Sequence, residues 1–511
     1  MQGSDPCKTR EMKKTDFLRR KYPRFIYDSY NWKISGKDLE ISFDFKIESA
    51  EDSPPYIYFK PKLIIKNIDK NQVKRVGDGV LNNLVFNLGL IEMLSYWKAT
   101  CSPEIEILAG SLNQEQIKWW KDLIDRGMGQ FFYENKIDFK KPNFLKFNTT
   151  QTGNNVTLPG NVTLKEKEVL IPIGGGKDSI VTLEMLKGVK KNIACFSLNP
   201  TEAAKKIMKL ARLPAPRAQA SGGQAGCRTP IIVERNIDPK LLELNQKGFL
   251  NGHTPFSAYL TFLSVLVAVL FGFKFIAFSN ERSSNEGNVN YLGRIINHQY
   301  SKSFDFEKKF RKYSLKYLTP EVQYFSFLRP LYEIQIAKLF SKYPQYFNAF
   351  LSCNVAYQTA SGTKKPTNPV QIASRLYGAR KWCGRCPKCL FVFTALYPFI
   401  GNKIIKIFGK NLFEDRKLLP LMLRLIGKEK FKPFECVGTK KESLVAFYLS
   451  WKKNRGRASD KLPFLLKYFE KSILPKYPNL EKESKKLIKS WNNRNNLPKG
   501  FKKILKNNIF R

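Results

Sequence analysis

At 511 residues the chain is long enough for two or three domains, each with a core of its own. Hydrophobic residues at 43% and charged residues at 26% describe an ordinary globular protein and exclude a disordered one. Its 88 Lys+Arg against 43 Asp+Glu give a formal charge of +45, which would draw it to polyanions, but the basic residues are scattered among Asn, Ile and Phe without an Arg-rich arm or nucleic-acid motif, as a compositional bias alone would leave them.

Residues 1–20 alternate polar and charged positions and carry no apolar stretch for export. The nine Cys are odd in number and unevenly spaced, unlike a secreted disulfide framework, so a cytoplasmic protein is expected. Segments 39–45 (LEISFDF) and 56–65 (YIYFKPKLII) have the β-branched and aromatic patterning of strands, parted by a turn at 51–55. Helices are predicted over 81–97 and 114–128, the second capped by Asn113. With a Thr/Asn/Gly-rich linker at 148–161, residues 1–150 read as an N-terminal α+β domain.

The pattern then changes to strand and helix in alternation: strands at 168–173, 192–198, 229–234 and 274–279, helices at 177–187, 202–210 and 256–272. That order predicts an α/β domain over 151–396 with a doubly wound parallel sheet, interrupted by a Pro/Ala/Gln/Gly-rich loop at 213–227. Residues 256–273 carry no charge and reach the length of a membrane span. Ser257, Thr261 and Ser264 fall on one stripe of that segment, with His253 a turn before, so a buried helix is expected rather than a span. Residues 397–511 read as a basic helical region with amphipathic stretches at 412–426 and 462–474.

The sharpest motif is Gly174-Gly175-Gly176-Lys177-Asp178-Ser179, between a predicted strand and helix. Three glycines let consecutive backbone N–H groups approach an anion, and the helix N-terminus adds its partial positive charge. Ser179 can donate to a phosphate oxygen, whereas Asp178 would be repelled by bare pyrophosphate, which implies an intervening Mg²⁺. The spacing fits neither a Walker loop nor a dinucleotide fingerprint. Its Gly-Gly-x-Asp-Ser core resembles the signature of PP-loop ATP pyrophosphatases, of adenine nucleotide alpha hydrolase-like fold. The resemblance implies ATP as cofactor, with the loop on the pyrophosphate while AMP passes to a substrate oxygen.

Cys383, Cys386 and Cys389 form a C-x₂-C-x₂-C run, and Cys353 is the natural fourth thiolate. Four thiolates suit structural Zn²⁺, with an iron–sulfur cluster as the alternative. Cys7, Cys101, Cys195, Cys227 and Cys436 have no such spacing and read as ordinary, Cys227 drawing notice only for its place in a Gly-rich loop.

A PP-loop followed downstream by this cysteine pattern is similar to 7-cyano-7-deazaguanine synthase, whose chains are about half as long. From about residue 20 to 450 the chain more closely resembles the UDP-N-acetylmuramoyl-L-alanyl-L-glutamate epimerase family. The segments that carry the likeness are 172–187, 237–239 with 251–255 (NGHTP), 279–283 (SNERS), 297–303 (NHQYSKS), 328–331 (LRPL), 382–393 and 434–439 (FECVGT). This resemblance implies an ATP- and Mg²⁺-dependent enzyme of peptidoglycan precursor synthesis that inverts the terminal L-Glu of a UDP-muramoyl dipeptide after adenylating its carboxylate. His253 and His298, the only two His, and Glu281, beyond a predicted strand end, are the catalytic candidates. Arg282, Lys302 and Arg329 are candidates for phosphate or carboxylate contacts. A PP-loop ligase on a nucleobase-like acid and a tRNA-modifying enzyme that uses the +45 charge are the rival readings.

Overall fold

The computed structural model describes residues 13–68, 70–149, 164–187, 192–211, 230–358, 382–429, 431–455 and 461–510. Strands β1 (Arg24–Ser35) and β2 (Asp38–Glu48) form an antiparallel hairpin in which Ser35 faces Asp38 across a two-residue turn. Gly36 occupies the first turn position with φ +60°, a conformation that suits glycine and matches strand twist. Strict alternation on β2 turns Leu39, Ile41, Phe43, Phe45 and Ile47 into the core. The single strand expected at 56–65 is two, β3 (Tyr56–Phe59) and β4 (Lys62–Ile65), both paired with β2 and parted at Lys60-Pro61. Proline has no N–H to give a ladder, which accounts for the break. Strands β5 (Glu104–Ile107) and β6 (Lys146–Thr149) extend the sheet from the far side of β1.

Further strands are β7 (Lys165–Pro172), β8 (Ile193–Leu198), β9 (Ile231–Asn236), β10 (Phe273–Phe278), a small ribbon of β11 (Val289–Tyr291) with β12 (Arg294–Ile296), and β13 (Gln323–Ser326). β13, β10, β7, β8 and β9 lie side by side in that order, all parallel. Chain order therefore reverses between β7 and β10, and a crevice opens at the carboxyl ends of those two strands. Leu170 joins the core built with helix Phe256–Phe271, whereas Val169 and Ile171 join the one built with helix Lys177–Lys187. The parallel part is thus buried on both faces.

The whole is an α/β fold on a mixed sheet, not a parallel one. β4 pairs antiparallel with β9, from Lys62↔Asn236 to Ile65↔Val233, giving an eleven-stranded sheet that runs across the boundary expected near residue 150. The expected linker at 148–161 begins inside β6, and its residues 150–161, like the loop 213–227, lie outside the described residues.

Helix Phe256–Phe271 is buried against helix Asp78–Glu92 and β10. The Thr261 and Ser264 hydroxyls donate to the carbonyls of Ser257 (2.7 Å) and Leu260 (2.6 Å), so the polar stripe is satisfied inside its own helix. Among the described residues no helix is long and apolar enough to cross a membrane. The C-terminal region is helical, although Pro387–Ile400 runs through the boundary expected at 396. The last helix, Lys499–Phe510, seats Phe501 against Phe275 of β10 and Phe325 of β13, with ring centroids 5.2 and 4.7 Å apart.

Candidate active site

The glycine loop leaves β7 at the crevice. Ile173 is pinned by its N–H to the Phe196 carbonyl (2.8 Å), and its own carbonyl accepts the Ser197 hydroxyl (2.9 Å). Gly175 has φ +97°, and a Cβ there would stand 3.1 Å from Ala203 Cβ and from Thr201 Oγ1, so only glycine fits. Helix Lys177–Lys187 starts at once and turns its free N–H groups toward the loop. Ser179 Oγ donates to the Gly176 carbonyl at 3.0 Å, and the Leu351 N–H donates to the Gly175 carbonyl at 2.9 Å.

Three carboxylates converge beside the loop. Asp178 follows β7, Glu281 follows β10, and Glu333 opens helix Glu333–Phe340 after β13; one oxygen of each lies within 4.8 Å of the others. Glu333 was not among the sequence candidates, because a single Glu at a helix start carries no spacing signal. Lys177 Nζ bonds Asp178 at 2.6 Å and also Glu333, and Lys388 Nζ stands 4.0 Å from Glu333. Burial pushes the Glu281 carboxyl up to about 7, and the Glu333 charge adds to it. Burial alone would likewise raise Asp178, but Lys177 and Lys388 outweigh it and hold the group below its ordinary value. Crowded hard oxygen donors of this kind, two of the three buried, fit Mg²⁺.

Arg329 does not face this crevice. It is fully buried, and its guanidinium donates to Glu307 (3.1 Å), Ser284 Oγ (2.9 Å), Ser326 Oγ (3.2 Å) and the carbonyls of Glu281 and Lys302. With its donors spent on protein, it positions the two segments that carry Glu281 and Lys302. Arg282 points away from the trio and lies over the Tyr332 ring, 4.2 Å from its centroid.

Lys302 Nζ donates to Cys436 Sγ at 3.1 Å, and His298 Nε2 lies 3.9 Å from the same sulfur. Cys436, read as ordinary in the sequence, is thus a thiol between a cation and an imidazole. Burial would raise its pKa, but Lys302 and the His298 hydrogen bond hold it well below the usual thiol range. Burial would lower Lys302, yet Cys436 and Glu281 together keep it above its ordinary value. The His253 ring packs on His298, centroids 4.6 Å apart, with Nδ1 unpartnered. Burial, then His298 and Lys98, lower His253 to about 3. The structure therefore brings both His and Lys302 together around a residue the motifs did not single out.

Cys353, Cys383, Cys386 and Cys389 gather with their sulfurs within 4.8 Å of one another, including Cys353–Cys386 at 3.8 Å and Cys383–Cys389 at 3.5 Å. A tetrahedron of Zn–S bonds has sulfur–sulfur edges of about 3.8 Å, so these thiols fit structural zinc. The knot adjoins the glycine loop through the Leu351–Gly175 bond. Cys227 lies outside the described residues.

The model of the MurL N-terminal domain matches residues 16–327, and that of the MurL C-terminal domain matches residues 349–472. The chain is 31% identical over 432 residues to a protein of Salinispora tropica named UDP-N-acetyl-alpha-D-muramoyl-L-alanyl-L-glutamate epimerase, covering 84% of this chain and 85% of that one. Proteins of the same name from a Micromonospora species and from Xanthomonas oryzae pv. oryzae are each 31% identical, covering 71% and 76% of this chain and 73% and 78% of their own lengths.

Proposed function

The chain belongs to the MurL epimerase family, and from that premise we propose that it consumes ATP to invert the terminal L-Glu of UDP-N-acetylmuramoyl-L-Ala-L-Glu to D-Glu, a cytoplasmic step in peptidoglycan precursor synthesis. The observation that carries the reading is the convergence of a glycine loop and three carboxylates, two of them buried, where chain order reverses in the parallel part of the sheet.

The α-proton beside a free carboxylate is hard to remove, because the carbanion would stand next to a second negative charge. Adenylation removes that charge: the glutamate carboxylate oxygen bonds to the α-phosphorus of ATP, and pyrophosphate leaves. Gly174, Gly175 and Gly176, with Lys177 and Ser179 in the first helical turn, are the residues for that leaving group. Asp178, Glu281 and Glu333 would hold Mg²⁺, which when bound offsets phosphate charge. Lys302 and His298 keep Cys436 anionic, a fitting base for the acidified α-carbon, and His253 backs His298. The returning proton must reach the opposite face of the planar carbon to give D-Glu, after which hydrolysis releases AMP. The cysteine knot would hold Zn²⁺ and fix the segment tied to Gly175.

The test is release of AMP and pyrophosphate from Mg-ATP with and without the muramoyl dipeptide, with glutamate configuration read after acid hydrolysis. AMP that depends on the dipeptide, together with D-Glu, is the expected result. AMP stimulated by tRNA or by ammonia with a nucleobase acid, without D-Glu, would remove the epimerase reading, and ADP in place of AMP would remove the pyrophosphatase chemistry.

A further inference from the structure

Across the segments that carry Glu281 and Glu333 a cavity of about 530 Å³ opens, lined among others by Arg282, Phe304, Lys308, Tyr332, Thr439 and Arg494. Its wall is shared with the site. Arg282 follows Glu281, whose backbone is extended (φ −106°, ψ 170°), so the two side chains leave on opposite sides. Tyr332 precedes Glu333, and Thr439 is three residues beyond Cys436. The volume is within the range of small-molecule sites.

The charge of the lining is what points to a ligand. Among the described residues Arg282, Lys308 and Arg494 have no carboxylate partner, although two acidic residues line the same cavity. Those two are already engaged. Glu286 pairs with Lys432 at 3.2 Å and accepts the Lys440 N–H at 3.0 Å; Asp305 takes Lys309 at 2.8 Å and the Tyr300 hydroxyl at 3.0 Å. Three uncompensated cations therefore converge on one hollow instead of dispersing over the surface. Aromatic faces accompany them: Arg282 lies over Tyr332, and Lys308 and Arg494 lie 5.6 and 5.9 Å from the Phe304 centroid. Arginine forks and an ammonium suit a diphosphate, and a ring such as Phe304 suits a stacked planar base.

We propose that this cavity receives the nucleoside-diphosphate end of the substrate, the diphosphate on Arg282, Lys308 and Arg494 and the base against Phe304. The assignment rests on the muramoyl dipeptide reading, which puts a uridine diphosphate on the far end of the molecule from the glutamate. The two amino acids alone span on the order of 7 Å when extended, and the sugar adds to the separation between the two ends of the molecule. It also gives the basic tail a task. Arg494 lies beyond residue 472, where the second family match ends, and its segment is strapped to the core by the Asn492 N–H on the Pro330 carbonyl (3.1 Å) and by Asn496 on Glu307 (2.9 Å).

The test uses the full chain with UDP as probe, and Lys308→Gln/Arg494→Gln as the variant, since both side chains are exposed and their loss leaves the core intact. By titration calorimetry, with thermal unfolding as the folding control, the variant is expected to bind UDP at least tenfold more weakly. UDP should compete with the dipeptide and not with ATP, and the variant's KM should rise for the dipeptide while its KM for ATP stays within twofold. Inorganic pyrophosphate bound as tightly as UDP would reduce the cavity to an anion patch and overturn the proposal. UDP binding unchanged in the variant, or competition with ATP, would also overturn it. If the wild type binds UDP here but forms neither AMP nor D-Glu, the epimerase reading fails while the cavity's ligand class stands.

Discussion

Replacing Arg329 by Met tests whether this residue holds the site together from behind. Its guanidinium is wholly buried and faces an equally buried Glu307, so the variant leaves a carboxylate in the interior without its cation. Breaking such a pair by removing one partner costs about 3–5 kcal/mol. Four further acceptors, among them the carbonyls of Glu281 and Lys302, lose their donor at the same time. These terms overlap, so the total should stay near the upper end of that range, a large share of the ~5–15 kcal/mol that typically stabilises a native protein. Equilibrium urea unfolding at neutral pH measures it, and epimerisation should fall well beyond the fraction unfolded. The added change Glu307→Gln removes the stranded charge and should return at least half of the lost stability. A cost below about 1 kcal/mol for Arg329→Met, or no recovery in the double variant, would refute the positioning role and reopen Arg329 as a ligand contact.

Gly175→Ala should cut dipeptide-dependent AMP release at least tenfold, because the backbone sits at φ +97° and the new Cβ crowds Ala203 and Thr201; a variant with normal pyrophosphate release would show that the loop is no phosphate cradle. Cys389→Ser should lower bound zinc from about one equivalent and depress the unfolding temperature, as metal analysis and calorimetry will show. Cys436→Ser should reduce D-Glu formation by about 10²–10⁴ while AMP release remains detectable, and equal loss of both would argue against a proton-transfer role. His253 is held at about 3 when folded against an ordinary 6.5, so as pH falls the unfolded chain binds this proton first. Its contribution to stability is therefore complete above about pH 6.5 and declines by up to about 1.4 kcal/mol per unit below it; urea titrations at pH 7 and pH 5 should show a smaller drop for His253→Asn than for the wild type.

The glycine loop and the cysteine knot were legible in the sequence because each is local, a short run whose spacing encodes its geometry. Glu333 and Cys436 were not, since each is one residue whose meaning comes only from Lys177 or from Lys302 and His298, distant in the chain. Arg329 looked like a substrate contact because sequence does not distinguish a solvated guanidinium from one enclosed by Glu307 and four other acceptors. Strand β1 escaped because its exposed half mixes Lys, Asn and Ser with Tyr and Trp, and β13 because four residues carry no period. The alternation after residue 165 did reveal the parallel strands, but pairing of β4 with β9 depends on a contact between segments far apart in the chain.

The unbroken sheet has a mechanical consequence. Many enzymes that must shield a reactive intermediate from water close one domain on another about a flexible joint. Here the rungs between Lys62–Ile65 and Val233–Asn236 weld the two halves into one slab, and a joint at that position would have to unzip a ladder of backbone bonds. Shielding must then come from loops and side chains at the crevice rim, moving over a rigid floor. On the proposed mechanism, such a floor leaves inversion at the α-carbon to the movement of protons rather than to one half of the protein turning on the other.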